Sequence, residues 1–167
     1  SISIGWIMGL KMDAMRKVLE RFPGVEHRLE YVGEIQGISF YNDSKATNPE
    51  ASIGAIGAMD APIILIAGGQ DRGSRFDDLI QSLGDKVKAL ILLGETSKKI
   101  GDTAIKYGFE NIYIVDDMDA AVRRGYQLGI PGDSILLSPA CASWDMYKSF
   151  EIRGNHFKES VNRLGEE

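Results

Sequence analysis

The chain has 167 residues, 44% hydrophobic and 26% charged, with five prolines and a formal net charge of −5. That length supports one hydrophobic core. The negative charge, with no basic run anywhere, excludes the dense positive face that nonspecific nucleic-acid binding requires. The single cysteine, Cys141, excludes an internal disulfide framework, and no Cys/His set has zinc-ligand spacing, so a reducing, cytoplasmic setting is expected.

The first ten residues are apolar, but they are too short to span a bilayer, lack a basic n-region and run into a helical pattern. They read as the cut end of a buried helix, with no membrane role. Met12, Met15, Val18, Leu19 and Phe22 then recur at helical spacing until Pro23-Gly24 stops the pattern. Residues 30–35 and 38–41 look like two strands joined at Gln36-Gly37, a hairpin signal. Beyond them, strand patterns at 63–67, 89–93, 112–115 and 134–137 alternate with helical patterns at 77–83, 97–107, 118–128 and 144–164. The continuous apolar run Ile63-Ile64-Leu65-Ile66-Ala67 suits a parallel sheet covered on both faces. The expected fold is α/β: a Rossmann-like, doubly wound, mostly parallel sheet with an N-terminal β-hairpin.

Three strand ends carry chemistry, and parallel strands bring their C-terminal ends to one edge. The segment Asn42-Asp43-Ser44-Lys45-Ala46-Thr47-Asn48-Pro49-Glu50 packs an acid, a base, hydroxyls and amides into one turn. Asn48 reads as a helix cap and Pro49 as the first helical residue. Free N–H groups at such a helix start favour anions; the plain alternative is a well-capped polar turn. In Gly68-Gly69-Gln70-Asp71-Arg72-Gly73, paired glycines permit a tight turn while Arg72 offers a forked donor for a carboxylate or phosphate. This is not a phosphate loop, because the Gly-Lys-Ser/Thr sequence is missing. In Leu137-Ser138-Pro139-Ala140-Cys141-Ala142-Ser143-Trp144-Asp145, Ser143 can cap the final helix, and the small residues leave room for a ligand. Cys141 has no visible histidine partner and reads as packing. His27 and His156 default to structural roles, Trp6, Trp144, Tyr147 and Phe150 to core or pocket wall, and Glu166-Glu167 to a solvated tail.

Four ordered motifs carry a resemblance: Gly24-Val25-Glu26-His27-Arg28-Leu29-Glu30, Asn42-Asp43-Ser44-Lys45-Ala46-Thr47-Asn48, Gly68-Gly69-Gln70-Asp71-Arg72-Gly73 and Leu137-Ser138-Pro139-Ala140-Cys141-Ala142-Ser143. Together they resemble the C-terminal domain of the Mur ligase family, and most nearly its D-glutamate-adding branch. The resemblance implies that residues 23–167 are that amino-acid-binding domain and 1–22 a remnant helix of the preceding central domain. It implies an ATP- and Mg2+-dependent reaction of peptidoglycan precursor synthesis, in which D-glutamate is joined to UDP-N-acetylmuramoyl-L-alanine through an acyl phosphate. Asp43 is then expected at the ATP ribose. Lys45, Thr47, Arg72, Ser143 and Phe150 are expected at the D-glutamate carboxylates, with the backbone of Trp144 assisting, and Lys45 and His27 as catalytic candidates. Most ATP and Mg2+ contacts, and the phosphate loop, are expected in the absent N-terminal and central domains, so the fragment alone should be inactive. Two alternatives remain: a domain of a folylpolyglutamate-synthetase-like ligase, and a non-catalytic α/β binding module of response-regulator type.

Overall fold

A computed structural model of the chain describes residues 2–22, 24–60 and 62–166. Helices α1 (Ile2–Ile7) and α2 (Met12–Arg21) precede strands β1 (Glu30–Ile35) and β2 (Ile38–Asn42). Helices and strands then alternate: α3 (Pro49–Ala58), β3 (Ile63–Ala67), α4 (Asp77–Ser82), β4 (Val87–Leu92), α5 (Ser97–Lys106), β5 (Ile112–Ile114), α6 (Met118–Leu128), β6 (Ser134–Leu137) and α7 (Phe150–Glu166).

The six strands form one sheet in the order β1-β2-β6-β3-β4-β5. β1 pairs antiparallel with β2, and every other neighbouring pair is parallel. Gln36 and Gly37 turn the hairpin with φ of 50° and 79°, the positive values that let a two-residue turn match the strand twist. Along β3, Ile63, Leu65 and Ala67 face α3, α4 and α5, while Ile64 and Ile66 face α6 and α7. That two-sided burial is why the strand is apolar throughout. Crossovers β2→β3, β3→β4 and β4→β5 share one face; the return from β5 to β6 runs through α6 on the other, as right-handed connections demand. β6 thereby enters between β2 and β3.

The parallel strands share a C-terminal edge, so segments 43–48, 68–76, 93–96 and 138–149 are neighbours. Two expectations change. The last helix begins at Phe150 rather than Trp144, because Met146 and Tyr147 donate their N–H groups back to the Ser143 carbonyl (3.1 and 2.7 Å) and close a turn there. The opening segment is helical but not buried: Trp6 is 71% and Ile7 79% exposed, Gly5 alone is buried in α1, and neither core layer takes a side chain from α1. The sheet is already covered on both faces by α3 to α7. Pro23 as a helix stop and Glu167 in the acidic tail lie outside the described residues, as does Ser1. Among the described residues, no helix is long and apolar enough to cross a membrane.

Candidate functional site

β2 ends at Asn42, whose side chain organises the turn that follows. Its Oδ1 accepts from Ser44 N (3.1 Å), so Nδ2 is the face turned to His27 Nδ1 and Glu30 Oε2, both at 2.9 Å. The Asn42 amide thus ties the His27 ring and the Glu30 carboxylate to the end of β2. Asn48 caps α3 by accepting from Ala51 N (2.9 Å), with Pro49 first in the helix, as the sequence predicts. Between these anchors the chain exposes Lys45 and half-buries Thr47.

An open cleft of about 540 Å3 runs beside this turn, and its walls include Arg28, Asp43, Lys45, Thr47, Asn48 and Phe150. Lys45 Nζ sits 5.3 Å from the Phe150 ring centroid, and the His27 ring meets Phe150 edge-on at 5.9 Å. Asp43 is 7% exposed; Oδ1 accepts from Leu29 N (3.3 Å) and Oδ2 from the Ser138 hydroxyl (2.8 Å). Burial pushes its carboxyl above the ordinary value, against the lowering effect of those donors. Asp43 thus fastens β1 and β6 to the turn as well as walling the cleft.

Arg72, Ser143 and Trp144 do not line that cleft. They stand on the same sheet edge, after β3 and β6, both parallel to β2. Gly68 and Gly69 take φ of 116° and 146°, and a Cβ on them would strike the carbonyl oxygens of Leu93 and Ala142, so the tight turn needs both glycines. Gln70 N bonds Ala142 O (2.9 Å), tying the Arg72 loop to the Ser143 loop. The Arg72 guanidinium lies over the Trp144 indole, 5.5 Å from its centroid. Ser143 is buried and does not cap α7. Ser149 does that, accepting from Ile152 N through its hydroxyl (3.4 Å) and from Arg153 N through its carbonyl (3.2 Å).

His27 is 4% exposed and absent from the cleft wall. It is placed to orient Phe150. Glu26, His27 and Glu30 bring ligand atoms within 4.8 Å of one another, yet Lys158 Nζ already bonds Glu26 Oε1 (2.6 Å) and Glu30 Oε1 (3.2 Å). Cys141 is buried against Thr96 Oγ1 (3.3 Å), and burial pushes its thiol up to about 11, which leaves no thiolate nucleophile.

Sequence reasoning missed two arginines. Arg28 lines the cleft inside a motif read only for His27. Arg153 is 3% exposed on α7 and donates from Nε to Ser44 Oγ (3.0 Å), from Nη2 to Ser44 O (2.9 Å) and from Nη1 to Cys141 O (3.0 Å). Ser44 in turn donates to Phe150 O (2.8 Å). One buried guanidinium thus holds together the turns after β2 and β6 and the start of α7. With Phe157, Ser160 and Val161, Arg153 forms the buried stripe of α7, a placement that the sequence does not distinguish from that of a solvated arginine.

The model of the family described as Mur ligase, glutamate ligase domain, matches residues 27–141. The chain belongs to the Mur ligase family. It is 54% identical over 164 residues to a protein of Caldanaerobacter subterraneus subsp. tengcongensis named UDP-N-acetylmuramoylalanine–D-glutamate ligase, covering 97% of this chain and 36% of that one. A Clostridioides difficile protein of the same name is 49% identical, over 98% and 36% of the two chains. This Mur ligase chain therefore spans about a third of the length of these curated relatives. Among solved structures, UDP-N-acetylmuramate-alanine ligase from Thermotoga maritima superposes with a TM-score of 0.68 at 14% identity, covering 98% of this chain and 36% of the other. Mycobacterium tuberculosis folylpolyglutamate synthase reaches 0.64 at 12%, over 99% and 38%. Those likenesses establish the shared fold, which both ligase groups possess.

Proposed function

We propose that this chain is the amino-acid-binding domain of a longer ligase that uses ATP to join D-glutamate to UDP-N-acetylmuramoyl-L-alanine. The observation that carries the reading is the cleft at the sheet edge, where Lys45, Thr47, Arg28 and Phe150 converge beside the capped start of α3. A dicarboxylate needs cations and hydroxyl donors in one place, beside the positive end of a helix dipole, and this edge supplies them. The named relatives at about half identity favour D-glutamate over the folylpolyglutamate and non-catalytic alternatives.

In this reading Lys45 and Thr47 hold D-glutamate from one side, and Arg72 and Ser143 from the neighbouring loops. Phe150 and His27 keep Lys45 in place, so the amine of D-glutamate is presented rather than chemically activated here; positioning is the domain's contribution to rate. ATP supplies the activation of the acceptor's carboxylate as an acyl phosphate. Asp43 fits the nucleotide's ribose as a hydrogen-bond acceptor on the cleft wall. Mg2+ is assigned with the phosphates to the central domain, because the acidic cluster around His27 is already occupied by the Lys158 ammonium, which bonds both carboxylates. A reaction that consumes ATP and a nucleotide sugar is in keeping with a cytoplasmic setting.

Kinetics of the full-length ligase test the reading. Lys45→Ala and Thr47→Ala should each lower kcat/KM for D-glutamate while folding is retained, because both are turn residues outside the core. Wild-type kcat/KM in both folded variants would refute the pocket. The 167-residue chain alone is expected to release no phosphate from ATP in the presence of D-glutamate.

A further inference from the structure

Arg72 and Trp144 sit on different loops and meet outside the cleft. Trp144 is 62% exposed, a large apolar ring outside both core layers. Arg72 makes no salt bridge among the described residues, and its guanidinium lies against the indole at 5.5 Å. The backbone beneath both side chains is pinned. Asp71 N donates to Glu95 Oε2 (3.0 Å), Glu95 N donates to Asp145 Oδ2 (2.9 Å), and Gln70 N donates to Ala142 O (2.9 Å). The residues flanking the pair are thus tied to one another through the loop after β4.

A guanidinium over an aromatic face is attracted through its plane while its N–H edge stays open for hydrogen bonds. A long cationic side chain left free must instead be ordered when the ligand arrives, which weakens binding. We propose that Trp144 is a positioning residue for Arg72: its indole fixes the guanidinium plane, so the donor edge meets a ligand carboxylate already ordered. The indole side chain then has a role separate from the backbone contact expected of Trp144. This inference rests on reading Arg72 as a D-glutamate contact.

The test uses the full-length ligase. Trp144→Leu should raise KM for D-glutamate about fivefold to tenfold, the range of a cation–π contact, and Trp144→Phe should recover part of the loss. In an Arg72→Ala background, Trp144→Leu should add nothing further, because the ring acts through the guanidinium. The Arg72 side-chain protons should show an upfield ring-current shift by NMR that Trp144→Leu abolishes, with no ligand present. An unchanged KM in Trp144→Leu, equal losses in the leucine and phenylalanine variants, or a full additive loss in the double variant would each overturn the proposal. Failure of the D-glutamate reading looks different: the wild-type enzyme does not turn over D-glutamate at all. The ring-current measurement then still decides whether Trp144 orders Arg72, and no shift would overturn it.

Discussion

Asp43 shows how one residue serves the fold and the site together. Its carboxylate is buried, bonded to Ser138 and Leu29, and still on the cleft wall. Burial raises its pKa, so the protonated form is favoured on folding. Its contribution to stability is full below the unfolded value near 3.8 and is lost as pH rises through the higher folded value. The stability of Asp43→Asn relative to wild type should therefore improve between pH 3.5 and pH 7, as read by thermal unfolding. Carboxyl 13C NMR should place Asp43 above the ordinary aspartate value, and Ser138→Ala should raise it further by removing a donor to the charged form; a normal or lowered value contradicts the assignment. That Asp43, Lys45 and Thr47 gather in one turn, which walls the cleft, was legible because their chemistry is concentrated at a strand end. Arg28 and Arg153 were not, because sequence does not tell a buried or cleft-lining arginine from a solvated one. Only tertiary packing decides that.

The elements divide in the same way. β3 and the hairpin were readable because unbroken apolar sequence and a Gln-Gly turn leave the backbone few choices. Asn48-Pro49 announced α3 through local chemistry alone. The start of α7 was not local. Residues 144–149 have no strong helix breaker, but the Asp145 bond to Glu95 and the Tyr147 hydroxyl bond to His156 Nδ1 (2.9 Å) hold them in a turn. Capping therefore belongs to Ser149. Ser149→Ala should cost about 0.5–1 kcal/mol in chemical denaturation and speed amide exchange in the first turn of α7. Ser143→Ala should leave that exchange unchanged; the opposite pattern would put the helix start back at residue 144.

At the scale of the whole molecule, five parallel strands deliver their loops to one edge, and Arg153 locks two of those loops to α7. The common edge was predictable from strand–helix alternation; the lock, joining residues 109 and 12 positions apart in the chain, was not. Burial holds the Arg153 guanidinium down at about 10, still charged at neutral pH, and its bonds run to carbonyls and a hydroxyl. Arg153→Met keeps much of the volume but strips the buried carbonyls of Ser44 and Cys141 of their donor. The expected loss is on the order of 3 kcal/mol, measurable by denaturant unfolding, and a loss near zero would show that the lock is dispensable. In the function proposed above, this edge receives D-glutamate. A crystal structure of the full-length ligase with D-glutamate and its nucleotide substrates tests it most directly. The D-glutamate carboxylates are expected on Lys45, Thr47 and Arg72 at the C-terminal edge of the sheet, and D-glutamate bound without any of these three would contradict the proposed function.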